Sequence, residues 1–253
     1  MLLEGKNAVI YGGGGAIGGA VAGAFAREGA RVFLAGRTRT RLDEVAEGIR
    51  SAGGVAETAR VDALDEKAVD RHADAVAEKA GSIDVSFNVI SYGDVQGTPL
   101  VGMKLEDFQR PVLAATRTMF LTSRTAARHM IEQGSGVILT FGGAGGRDPM
   151  RYTYIGGFQV ALGAIDVLRR QLAVELGPHG IRVVTLENAG LPETISEDLE
   201  WRDAIVEHLV GATMLGRAAT LEDVGNVAAF AASDRARAIT ASSFNITCGA
   251  VAD

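Results

Sequence analysis

The stretch Tyr11-Gly-Gly-Gly-Gly-Ala-Ile-Gly18 decides how the rest of the chain is read. It follows a short apolar run, Asn7–Tyr11, and opens directly into helical periodicity from Ile17 to Glu28. Glycines allow a sharp backbone turn and close approach of a ligand, while a helix N-terminus offers free N–H donors and a partial positive charge. Between a first strand and a first helix, such a cluster points to a pyrophosphate cradle rather than an ordinary turn.

Outward from this turn, short apolar runs alternate with amphipathic stretches. The strands read as Asn7–Tyr11, Arg31–Ala35, Val55–Val61, Ile83–Asn88, Val137–Phe141, Ile181–Glu187 and Ser243–Thr247. Between them the pattern predicts helices over Thr38–Ala52, Asp65–Ala80, Lys104–Glu132, Phe158–Leu176 and Leu221–Ser233. Continuous apolar strands separated by helices indicate an α/β fold whose seven-stranded parallel sheet is doubly wound, with helices on both faces. No linker or repeat divides residues 1–253, so a single domain is expected. Residues 191–214 break the rhythm: they hold Glu193, Glu197, Asp198, Glu200, Asp203 and Glu207 beside Trp201, the chain's one tryptophan. A substrate lid and a solvated acidic helix both fit that stretch.

Composition narrows the function classes. With 47% hydrophobic and 22% charged residues the chain is of globular type. A net charge of −6 without a Lys/Arg cluster argues against a nucleic-acid partner. No apolar run approaches the roughly 18 residues that cross a bilayer. The single cysteine, Cys248, leaves no internal disulfide and suits a reducing compartment. The first residues run straight into a strand, so a cytoplasmic protein without a leader is expected. His129, His179 and His208 share no ligand spacing, and no metal site is expected.

Gly12, three intervening residues and Ala16-Ile17-Gly18 resemble the TGxxxGxG motif of the short-chain dehydrogenase/reductase family, with Tyr11 for its Thr and Ala16 for its middle glycine. Further landmarks span the chain: Val61-Asp62-Ala63, Glu175-Leu-Gly-Pro-His-Gly-Ile-Arg-Val183, Leu215-Gly-Arg217, Glu222-Asp-Val224, Ser233-Asp234 and Asn245-Ile-Thr-Cys-Gly249. The resemblance implies a Rossmann fold, a nicotinamide cofactor, a small-molecule substrate and a homotetramer or dimer. It carries cofactor contact to Gly12, Gly14, Gly15, Ala16, Ile17, Gly18, Asp62, Ala63, Asn88, Ile90 and Ala189. At the end of the second strand, Gly36 supplies no carboxylate for a ribose 2′-hydroxyl, and Arg37 suits a 2′-phosphate. The expected cofactor is therefore NADP(H) in preference to NAD(H).

The same resemblance fails at the catalytic end. Family members use a Tyr as proton donor, a Lys four residues later, a Ser on the substrate oxygen and an Asn in the central helix. Counting back from Glu175 puts Phe158 in the Tyr slot and Leu162 in the Lys slot. The Ser slot falls on Gly142 or Gly143, the Asn slot on Ala115, and the sixth-strand exit reads Asn188-Ala189 instead of Pro-Gly. Pairing Tyr154 with Phe158 as YxxxF leaves the lysine missing and shifts Glu175 four residues out of place. No lysine follows Lys104. Tyr154 stands as a substitute proton donor, with Tyr152, Ser91 and Tyr92 as weaker ones. Two functions follow: an oxidoreductase acting on a carbonyl, alcohol or activated alkene with non-standard proton delivery, or an inactive dinucleotide-binding sensor or scaffold.

Overall fold

Strands that are apolar on both faces have no side to turn toward water, so they pair centrally and are covered twice. The computed structural model describes residues 1–143 and 154–252. Its strands are β1 (Asn7–Tyr11), β2 (Arg31–Gly36), β3 (Val55–Arg60), β4 (Val85–Asn88), β5 (Gly136–Gly143), β6 (Ile181–Asn188) and β7 (Ser242–Asn245). They form one seven-stranded sheet in the order β3-β2-β1-β4-β5-β6-β7. Every neighbouring pair is parallel. The central strands β1 and β4 are buried along their whole length, whereas β3 and β7 at the edges are half exposed.

The helices are α1 (Ala16–Arg27), α2 (Arg39–Ser51), α3 (Glu66–Ala80), α4 (Leu105–Gln133), α5 (Gly156–Leu176), α6 (Arg202–Gly211) and α7 (Leu221–Ala232). One core packs α1, α2 and α7 on a sheet face through Phe25, Leu42, Ile49 and Val224. A second packs α3, α4 and α5 on the other face through Val69, Leu121, Met130 and Leu176. Close approach of α7 to α1 depends on Gly225, where a Cβ would lie 2.9 Å from that of Ala24.

The expected doubly wound sheet is thus observed, with small shifts of physical origin. β4 begins at Val85 rather than Ile83, because the Ile83 N–H and carbonyl are taken by the Gln133 carboxamide at 2.9 and 3.1 Å. β7 stops at Asn245, whose Oδ1 accepts from the Thr247 N–H at 3.2 Å and turns the chain. Within 191–214 the chain forms α6, which buries none of its residues. The strand order reverses between β1 and β4, which opens a crevice at the carboxyl ends of those strands.

Candidate functional site

The crevice is built from the glycine turn. Gly12 has φ +91°, and a Cβ there would sit 2.5 Å from the Val89 carbonyl oxygen, so only glycine fits between β1 and β4. A Cβ on Gly18 would lie 2.3 Å from the Gly12 oxygen, which lets α1 press against the turn. Gly12 and Gly13 both donate to the Ala35 carbonyl, at 2.9 and 3.2 Å, and tie the turn to β2. Gly15 caps α1 without any side-chain hydrogen bond. The first-turn N–H groups of Ala16 and Ile17 therefore face the turn without an intrahelical acceptor.

Above this N-terminus lies a cleft of about 250 Å³. Among its lining residues are Gly12, Gly14, Gly15, Arg37, Asp62, Ala63 and Ile90. Seven of the twelve residues expected to touch a cofactor are thereby brought to one wall. Ala16, Ile17 and Gly18 form the helix start beneath it. Asn88 is buried below: its Nδ2 donates to Thr122 Oγ1 at 3.0 Å and its Oδ1 accepts from the Ile90 N–H at 3.3 Å. That pair of bonds aims Val89, Ile90 and Ser91 into the cleft. Ala189 follows β6 and is not among the lining residues.

The cleft suits a dinucleotide. Its glycine wall and uncapped helix favour a pyrophosphate. Asp62 Oδ1 accepts from the Leu64 N–H at 3.0 Å and shapes the turn that presents Val61 and Ala63 as an apolar floor. Arg37 and Arg41 are exposed, line the cleft and make no ion pair among the described residues, while Arg39 pairs with Asp43 at 3.0 Å. Sequence reading had no role for Ala114 and Thr118, whose spacing of four places both on the cleft side of α4.

The four family slots also converge, but as an apolar cluster. Gly157 seats α5 against α4, since a Cβ there would lie 2.0 Å from the Phe108 oxygen. Phe158 then packs with Tyr92, Ala115, Met119, Ala161 and Ile165, its ring centroid 6.2 Å from that of Tyr92. Leu162 is 5% exposed, and its Cδ1 lies 2.9 Å from where a Gly143 Cβ would stand. The Tyr92 hydroxyl lies 3.5 Å from the Phe141 carbonyl, and burial pushes its pKa well above the ordinary phenol value. It is a poor acid. Tyr154 is 54% exposed at φ +45°, its carbonyl accepts from the Gly97 N–H at 3.2 Å, and it does not line the cleft. Tyr152 lies outside the described residues.

Leu209 of α6 rests on Gly190, where a Cβ would approach it to 2.8 Å, so α6 sits against the exit of β6. His179 and His208 are exposed, and the half-buried His129 pairs with Asp74 at 3.0 Å. His72, unremarked in the sequence, is half-buried edge-on to Tyr11, and desolvation lowers its pKa to about 4. Among the described residues no helix is long and apolar enough to cross a membrane, and no group of three or more His, Cys, Asp or Glu could hold a metal ion.

Comparison with known proteins agrees with this geometry. A family model described as enoyl-(acyl carrier protein) reductase matches residues 14–250. An uncharacterized oxidoreductase of Bacillus subtilis is 30% identical over 244 residues, covering 94% of this chain and 88% of the relative. The meso-2,3-butanediol dehydrogenase of Serratia marcescens is 30% identical over 256 residues, covering 100% and 97%. A short-chain dehydrogenase from Burkholderia cenocepacia, solved in complex with NADP, superposes with a TM-score of 0.87 at 25% identity over the full length of both chains. By these matches and by its sheet, this chain belongs to the short-chain dehydrogenase/reductase family of NAD(P)-binding oxidoreductases.

Proposed function

We propose that this protein binds NADP(H) and transfers hydride to or from a small-molecule substrate without the family's Tyr–Lys proton donor. The observation that carries this reading is the cleft itself: a glycine wall over an uncapped helix, with Arg37 and Arg41 at the mouth where an NAD-type carboxylate is missing. The bound dinucleotide supplies the hydride; the protein holds it and shapes the substrate face. Arg37 and Arg41 would take the 2′-phosphate, the first-turn N–H groups of α1 the pyrophosphate, and Val61 and Ala63 the adenine. NAD(H) lacks the phosphate those arginines would meet and would bind more weakly. The substrate is a carbonyl, an alcohol or an activated alkene, with residues 191–214 as the lid. Tyr154 is the candidate phenol for proton delivery, and loss of turnover in Tyr154→Phe would assign it that task.

Titration with NADPH and NADH tests the cofactor reading, with Trp201 fluorescence or a thermal shift as readout. NADPH is expected to bind more tightly, and Arg37→Glu to weaken it about 10- to 100-fold through loss of charge-assisted hydrogen bonds. Equal affinities for the two dinucleotides would remove the phosphate reading.

A second reading has its own support. Phe158 and Ala115, in the Tyr and Asn slots, pack with Tyr92 in one apolar cluster, which suits a dinucleotide-binding sensor or scaffold with no chemistry. It predicts NADPH binding without turnover of any substrate. Under either reading the protein is a homo-oligomer, because Leu113 and Phe120 on α4 and Val160, Val167 and Val174 on α5 leave apolar side chains exposed.

A further inference from the structure

Tyr11 stands where the motif of the family has Thr, and the fold gives its larger side chain a defined place. Along β1, Ala8 and Ile10 belong to one core and Val9 and Tyr11 to the other. The Tyr11 ring therefore lies on the sheet face covered by α3 and α4. There it shares one apolar group with Val61, Ala63 and Ile90, and all four residues line the cleft. Leu64, Ala114 and Thr118 line the same space.

Tyr11 is 2% exposed, and its hydroxyl makes no hydrogen bond among the described residues. Its polar neighbours are engaged elsewhere or turned away. His72 meets the Tyr11 ring edge-to-face with centroids 5.7 Å apart, and its own buried Nδ1 has no partner. The Asp70 carboxylate is held by Thr125, Arg124 and Arg128 at 2.6 to 3.2 Å. The Thr118 hydroxyl donates to the Ala115 carbonyl at 3.4 Å. Burial, with the Asp70 charge behind it, holds the Tyr11 phenol well above its ordinary pKa, so it stays protonated and can donate. A buried hydroxyl without a partner is costly, and phenylalanine would fill the same volume without that cost.

We propose that Tyr11 reads the base of the bound dinucleotide, its hydroxyl donating a hydrogen bond to a ring nitrogen of adenine. This rests on the NADP(H)-binding reading above and adds a base contact to the charge contacts of Arg37 and Arg41. Adenine has flat apolar faces, which suit Val61, Ala63 and Ile90, and neutral ring nitrogens that accept. Phosphate and ribose lose more hydration on an apolar floor and are better served by the glycine wall and the arginines. A ring of the same outline without the accepting nitrogen would leave the phenol unpaired, and the site rejects it for that reason.

The test is calorimetry of the full chain with NADP+ and with its 1-deaza-, 3-deaza- and 7-deaza-adenine analogues. Each analogue replaces one ring nitrogen by C–H. The wild-type protein is expected to bind one of them about tenfold more weakly than NADP+. Tyr11→Phe is expected to weaken NADP+ by the same factor and to leave the affinity for that one analogue unchanged. Without ligand, Tyr11→Phe should unfold at the same temperature as the wild type or higher, because the phenol it removes has no partner there. Equal losses for all four ligands in the variant would assign Tyr11 to packing and overturn the proposal. So would an unchanged NADP+ affinity in the variant, a variant that fails to fold, or a wild type indifferent to all three replacements. In each of those cases the wild type still binds NADP+, and the cofactor reading stands. Failure of the wild type to bind either NADP+ or NAD+ overturns that reading and this inference with it.

Discussion

Gly12 and His72 sit on either side of Tyr11 and constrain the cleft by different physics. At Gly12 the constraint is steric: an L side chain at φ +91° costs about 1–3 kcal/mol in backbone strain before any clash with the Val89 oxygen is relieved. Gly12→Ala is therefore expected to lower thermal stability by that amount or more and to abolish NADPH binding, read by thermal unfolding and by titration. At His72 the constraint is electrostatic. Burial keeps the imidazole neutral until about pH 4, against an ordinary value of 6.5. Between those values the unfolded chain holds the extra proton, so stability falls as pH drops through that window. His72→Phe should flatten the pH dependence of the thermal midpoint there; parallel curves for the two proteins would clear His72 of this role. The role of Gly12 was legible in the sequence because a glycine after a strand has few structural meanings. That of His72 was not, because a histidine on a helix is read as solvated until the tertiary packing places a tyrosine ring over it.

Among the elements, α7 shows how a short signal sets a helix start. Thr220 and Asp223 form a reciprocal capping box: Thr220 Oγ1 accepts from the Asp223 N–H at 3.1 Å, and Asp223 Oδ2 accepts from the Thr220 N–H at 3.0 Å. A hydrogen bond from Arg217 at 2.6 Å, with the Thr220 contacts, lowers the Asp223 pKa to about 2. Asp223→Ala is expected to cost about 1 kcal/mol, or about 2–4 °C in the thermal midpoint. A folded-state pKa below the unfolded value gives stability that is present above the usual carboxylate range. The wild-type advantage should therefore fade as pH falls from about 4 toward 2. An advantage that persists at pH 2 would assign the effect to helix propensity instead. α5 was as readable as α7, since Glu175 fixed its register and so placed Phe158 and Leu162. α6 was harder to read, because a helix that buries no residue has no apolar stripe to announce it.

At the scale of the molecule, spacings of seven residues put Val160, Val167 and Val174 on one side of α5, and Leu113 and Phe120 on one side of α4. Phe120 is 48% exposed and Val167 60%. If this two-helix surface is the oligomer interface, Val167→Glu should shift the mass measured by light scattering toward the monomer and leave NADPH binding in place. A monomeric wild-type protein would retire the interface.

The alternation of apolar and amphipathic runs and the glycine turn are local in the chain, so the sequence alone determined the sheet and its winding and pointed to the proposed dinucleotide end. Residues whose meaning depends on neighbours far along the chain were decided only by the tertiary structure. Ala114 and Thr118 face the cleft because α4 lies against β4, and Phe158 meets Tyr92 because Gly157 lets α5 touch α4. Glu187 gains its place beside Gly142 from the β5–β6 register. The turn at Gly12–Gly18 could be read from chain order, but the contacts of Phe158 and Leu162 arise from strand pairing and helix packing far along the chain.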